Sequence, residues 1–113
     1  MIPITNLFSG SRTKMKYNFI HDLEASKGTS LQGYVYTTYD KLVRAFGQPD
    51  IGPNASERDG STCKWSLAFD DSVVVTIYDD NVNYTPKDSY DWRIGGFDVA
   101  ALIRVQKIVL GLK

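Results

Sequence analysis

Between Thr62 and Gly96 apolar and polar positions alternate in three runs. In Thr62 to Phe69, Cys63, Trp65, Leu67 and Phe69 share one side, while Lys64, Ser66 and Ala68 share the other. That two-residue period predicts a strand with one buried face. Asp70-Asp71 predicts a short two-residue turn, after which Ser72 to Tyr78 returns with Val73, Val75 and Ile77 on the apolar side. Val74, Thr76 and Tyr78 face the other way. Tyr90 to Gly95 repeats the pattern, with Tyr90, Trp92 and Ile94 set against Asp91, Arg93 and Gly95. Leu31 to Tyr36 reads as a further strand, with Leu31, Gly33 and Val35 inward and Gln32, Tyr34 and Tyr36 outward.

The period changes at Tyr39. Tyr39, Leu42, Val43 and Phe46 form one helical stripe, with Thr37 and Thr38 as candidate N-caps, a Thr37-x-x-Asp40 capping box, and Gly47 and Pro49 as stop signals. A second helix is predicted after Gly95-Gly96, with Asp98 as N-cap and Phe97 stapled onto Leu102. Val99, Leu102, Ile103, Gln106 and Val109 form its stripe, and Gly111 ends it. That apolar face is wider than a small sheet needs, which points to a contact between copies of the chain. Asp50 to Ser61 and Asp79 to Ser89 are polar links.

The element order is β-α-β-β-β-α. It predicts an α+β fold, a small antiparallel sheet with two helices packed on one face. Residues 1–28 read as a partly flexible N-terminal arm, and 29–113 as a single α+β domain. Within the arm, Met15 is a second possible start, and Tyr17 to Ala25 fits either a strand or a helical turn.

Length and charge narrow the class. A chain of 113 residues is one domain able to bury its own core. A formal net charge of zero, with both signs interspersed, gives no electrostatic footprint for nucleic acid. The single cysteine, Cys63, excludes an intrachain disulfide and points to a reducing cytoplasm. No apolar run approaches the ~18 residues of a membrane span, and no secretory leader is expected.

The outer face of the sheet collects Tyr34, Tyr36, Lys64, Ser66, Thr76, Tyr78 and Arg93. Rings beside cations and hydroxyls suit a planar, anionic ligand. An antiparallel sheet also commonly keeps one solvated face, and tyrosine and threonine are good strand formers, which accounts for the same residues without a ligand. Gly95-Gly96 before a helix start is compatible with an anion at the helix N-terminus, although a tight strand-to-helix turn explains the pair more simply. Nucleophilic catalysis needs a nucleophile, a base and an orienting group. Cys63 falls on the core face, His21 has no spaced partner, and Asp70, Asp71, Asp79 and Asp80 fall at turns, so the residues read as non-enzymatic. No metal or cofactor is expected. Asp79, Asp80, Asn81 and Asn83 lack the glycine and glutamate that a calcium loop requires.

The stretch Thr29 to Pro53, with Ser30-Leu31-x-Gly33-Tyr34, Tyr39-x-x-Leu42 and Phe46-Gly47-x-Pro49, resembles the opening of a widespread family of small phage and prophage proteins. Thr76-Ile77-Tyr78-Asp79 and Trp92-x-Ile94-Gly95-Gly96 extend the similarity to roughly residues 29–109. Ser72 stands where that family commonly has glycine, and Arg93 where it commonly has histidine. The resemblance implies a counter-defence protein of the host cytoplasm, acting as a homo-oligomer that sequesters a nucleotide-derived immune signalling molecule. Tyr34, Tyr36 and Tyr78 would stack on bases. Lys64, Arg93 and Arg104 would pair with phosphates, with Thr76, Gly95 and Gly96 beside them. The alternatives it leaves are an anti-CRISPR or other inhibitor bound directly to a host defence protein, and a virion-associated module.

Overall fold

Trp65 and Trp92, both fully buried, meet edge to face at the centre of the protein, ring centroids 5.7 Å apart and planes at 79°. Around them Leu67, Val75, Ile77 and Ile94 are also fully buried. These are the apolar positions of the alternating runs, and their burial fixes the strand registers. The computed structural model describes residues 17–80 and 82–112. Its elements are β1 (Phe19–His21), a 3-10 turn (Leu23–Ser26), β2 (Ser30–Thr37), α1 (Tyr39–Phe46), β3 (Lys64–Phe69), β4 (Val74–Tyr78), β5 (Tyr90–Gly96) and α2 (Ala100–Leu110). The strands form one antiparallel sheet in the order β1-β3-β4-β5-β2. The fold is α+β.

Both helices lie on the tryptophan side. The indole Nε1 of Trp65 donates to the Gly47 carbonyl at the end of α1, 2.8 Å away. α2 presses Ala101, Val105 and Val109 into the core. Its Leu102 side chain lies against Gly33, where a Cβ would come within 2.6 Å of it. Thr38 caps α1 by accepting from the Lys41 amide. The capping box expected on Thr37 does not form, because Thr37 belongs to β2 and points into the core with its hydroxyl unpartnered among the described residues. α2 starts at Ala100, whose amide donates to the Asp98 carboxylate at 2.9 Å. Phe97, expected to staple onto Leu102, is exposed, and its ring borders Gly28 instead.

Three further differences from the sequence reading have physical causes. The chain enters the sheet well before residue 29. Phe19, Ile20 and His21 pair with Phe69, Ala68 and Leu67, and Phe19 joins an aromatic cluster with Phe46 and Phe69 at 5.9 and 5.2 Å. A strand this short carries too few residues to display a period. Residues 1–16 of the expected arm lie outside the described residues. A bulge between Leu31 and Gly33 sets Leu31 opposite Gly95, so Leu31 leaves the inward set and is 45% exposed. Finally, the β3–β4 turn has three residues. The Phe69 amide donates to the Val73 carbonyl, the Ser72 amide to the Phe69 carbonyl, and Ser72 sits at φ 76°.

A left-handed conformation costs a non-glycine residue about 1–2 kcal/mol, whereas glycine surrenders about 0.5–1 kcal/mol more chain entropy on folding. Ser72→Gly is therefore expected to stabilise the protein by about 0.5–1 kcal/mol, raising the thermal midpoint by a few degrees. A midpoint at or below that of the parent would contradict the strain assigned to this turn.

Candidate binding face

Register brings four of the predicted residues into one line. Lys64 on β3 stands opposite Tyr78 on β4, Tyr78 opposite Arg93 on β5, and Arg93 opposite Tyr34 on β2. Cations and rings alternate along the line. The Lys64 ammonium lies 5.9 Å from the centre of the Tyr78 ring, and the Arg93 guanidinium 5.3 Å from that of Tyr34. Tyr36 follows on β2 as the most exposed of these rings, at 71%. Each cation has a carboxylate at its flank. Arg93 pairs with Asp80 at 3.2 Å, and Lys64 reaches Asp59 at 3.8 Å. These acids come from the two polar links and hold the cations over the rings. Burial pushes the Tyr78 phenol above its ordinary range while the nearby Arg93 charge pulls it back, so the hydroxyl stays a protonated donor at neutral pH.

The rest of the predicted face is covered. The 3-10 turn packs across β3 and β4. Ser66 Oγ donates to the Asp22 carbonyl at 2.7 Å, and the Asp22 amide donates back to the Ser66 carbonyl at 2.9 Å. Thr76 is 2% exposed, so it lines no open surface. Gly95 and Gly96 are buried for packing reasons on opposite faces of β5. A Cβ on Gly95 would lie 2.2 Å from Thr76 Oγ1, and one on Gly96 would lie 2.4 Å from the Ala101 Cβ. The start of α2 already holds an anion, the Asp98 carboxylate. Arg104 lies on the helical layer, away from the row. It pairs with Asp71 at the β3–β4 turn and stacks over Tyr17 and Phe69 at 4.2 and 4.7 Å. The Arg104 hydrogen bond holds the Asp71 carboxyl below its usual range. The structure thus gathers Tyr34, Tyr36, Lys64, Tyr78 and Arg93; Thr76 and Gly95 lie buried beside Tyr78, and Gly96 and Arg104 lie on the helical side.

Two groups of catalytic type are engaged elsewhere. Burial, followed by the Asp79 charge, pushes the Cys63 thiol up to about 12, which keeps it protonated and unreactive. His21 is clasped at both nitrogens: Nε2 donates to the Phe46 carbonyl at 2.8 Å, and Nδ1 lies 3.0 Å from both Asp50 oxygens. Asp50 Oδ2 also accepts from the Ser66 amide, so this pair ties β1, α1 and β3 together. Among the described residues no cluster of three or more metal-ligating side chains occurs, and no helix is long and apolar enough to cross a membrane. A cleft of about 240 Å3 lies between the β3–β4 turn and the start of α2, with Asp71 and Asp98 in its wall. Those carboxylates make it a poor seat for an anion.

No protein-family model, curated protein or solved structure matches this chain. Any functional reading therefore rests on the residues of the face and on the motifs of the strands that carry it. The counter-charges Asp59 and Asp80 were not visible as site residues in the sequence. Both sit in polar links whose turns fold them back onto Lys64 and Arg93.

Proposed function

We propose that the protein binds and sequesters a nucleotide-derived signalling molecule on the outer face of its sheet. The observation that carries this is the in-register row Lys64–Tyr78–Arg93–Tyr34, cation and ring alternating across four strands. Neighbouring strands lie about 4.8 Å apart, so the row spans about 14 Å, enough for a ligand with more than one ring. Tyr34, half exposed, offers a stacking platform. Arg93 offers a fork for phosphate, which competes with Asp80 for it. Binding without turnover is supported by the protonated Cys63 thiol and the clasped His21 nitrogens. The biological setting we propose, a phage-encoded counter-defence protein in the host cytoplasm, is supported by the resemblance of the Thr29–Pro53 and Asp91–Gly96 motifs, and its action as a homo-oligomer by the exposed apolar residues Val99, Ile103 and Leu110 along the last helix.

The test is thermal unfolding against ADP-ribose derivatives, cyclic dinucleotides and cyclic trinucleotides. A ligand at about 100 times its dissociation constant adds about 2.7 kcal/mol and is expected to raise the midpoint by several degrees. Tyr34→Ala and Arg93→Gln are each expected to weaken the matching ligand by about 1–3 kcal/mol, or roughly 5- to 150-fold. An unchanged shift in both variants overturns the site. No shift with any of these compounds overturns the ligand class and favours direct binding to a host defence protein, which a pull-down from host lysate would reveal.

A further inference from the structure

We infer that the β2 edge is the interface between two copies of this chain, paired antiparallel about a two-fold axis through Val35. Among the described residues no strand lies beyond β2, which closes one side of the sheet with a strand of 8 residues, whereas β1 at the other side has 3. Open edges are normally blunted by lysine, proline or inward charges. Ser30–Thr37 contains no charged residue and no proline. Its only blunting device is the bulge between Leu31 and Gly33, which leaves Gly33–Thr37 as the regular stretch.

The register follows from the two faces. Residues directly opposite in an antiparallel pair point to the same side. Tyr34 and Tyr36 point outward and Val35 inward, so a second copy continues both faces only in alternate registers. Centring on Val35 uses the whole regular stretch. Val35 then faces its own copy on the core side, Tyr34 faces Tyr36 of the second copy on the outer side, and Gly33 faces Thr37. An uncharged strand meets its copy without like-charge repulsion, and the two tyrosine pairs are aromatic cross-strand contacts.

The helical layer fits the same axis. α2 packs on β2, β5 and β4, with Leu102 over Gly33. With strands about 4.8 Å apart, two-fold copies of a helix lying over β5 and its two neighbours are roughly 10–14 Å from each other, so that their β2-side flanks face one another across the axis. Val99 and Ile103, which share the flank of Leu102, are 55% and 44% exposed in the single chain. The pairing gives that surplus apolar surface a partner. It also lends Tyr36 of each copy to the end of the other copy's Lys64–Tyr78–Arg93–Tyr34 row. That last consequence rests on the ligand reading, whereas the assembly itself is measured without ligand, so the two fail separately.

Light scattering of the unliganded protein is expected to give twice the chain mass of 12.7 kDa. A mixture of the single variants Tyr34→Cys and Tyr36→Cys is expected to form an oxidised cross-link that neither variant forms alone. Only the 34/36 pair falls within the 4.4–6.8 Å Cα separation of a disulfide, roughly, and like positions sit on a longer diagonal. The double variant Tyr34→Glu/Tyr36→Glu, which sets carboxylates opposite each other and leaves the core untouched, is expected to be a folded monomer. A monomeric parent at the highest soluble concentration overturns the interface. So does a double variant that remains dimeric, or a mixture that cross-links no better than each variant alone.

Discussion

Asp79→Ala is expected to destabilise the protein by about 3–5 kcal/mol, a large part of the 5–15 kcal/mol that holds a domain of this size together, roughly. Asp79 is fully buried at the end of β4. Its Oδ1 accepts from the amides of Thr62 and Cys63 at 2.7 and 3.1 Å, and its Oδ2 accepts from the Thr62 hydroxyl. Because Thr62 gives its only hydroxyl proton to Asp79, the Thr85 hydroxyl must donate to Thr62 Oγ1, 2.8 Å away. Thr85 Oγ1 in turn accepts from the Asn54 amide, while the Thr85 amide donates to Asn54 Oδ1. One carboxylate therefore terminates a directed chain of hydrogen bonds that fastens both polar links to the sheet. Alanine orphans two buried amides and a hydroxyl. Asp79→Asn keeps the volume and one acceptor, so its expected cost is about 1–2 kcal/mol. Urea unfolding of both variants gives the comparison. Equal and small losses, below about 1 kcal/mol, would mean that the links are held by something other than this carboxylate. Asp80 adjoins Asp79, and Asp59 is held by Ser61, next to Thr62, so loosening the network is also expected to disorganise the binding row.

The sheet was legible in the sequence wherever burial imposes a two-residue period. Trp65, Leu67, Val75, Ile77, Trp92 and Ile94 all lie where alternation puts them, and α1 runs between its own signals, Thr38 and Gly47. What alternation cannot show is an interruption of itself. The bulge after Leu31 reverses that side chain with no compositional mark, and β1 is too short to alternate at all. The face of the site was equally legible: Lys64, Tyr78, Arg93 and Tyr34 all follow from parity. Which part of that face stays open was not. Ser66 and Thr76 obey the same parity, yet they lie beneath a 3-10 turn contributed by a distant segment. Arg104 shows the corresponding limit for helices, since a stripe tells which side of α2 a residue occupies but not that Asp71 waits opposite. Asp79 looked like one more turn residue because its partners, Thr62 and Cys63, lie 17 and 16 residues away along the chain.

Gly95→Ala is expected to cost about 2–3 kcal/mol through overpacking, and Thr76→Ala in the same chain is expected to recover much of that loss. The added Cβ would stand 2.2 Å from Thr76 Oγ1, whereas its next neighbours, the Ser30 carbonyl oxygen and a Tyr78 ring carbon, are at 3.4 and 3.6 Å. The conflict is with one hydroxyl. Thr76 is β-branched, buried and in register with Gly95, so it has little freedom to turn the hydroxyl away. Removing that oxygen leaves ordinary van der Waals contacts, and the double variant should be more stable than the sum of the single losses by about 1–2 kcal/mol. A strictly additive pair would show that the glycine serves something other than this contact. The cycle bears on function as well, because the bare backbone at Gly95 is where the Tyr78 ring rests within the row. If the row binds a ligand, the doubly substituted protein should fold and bind normally, because the added methyl group only touches the ring, at 3.6 Å.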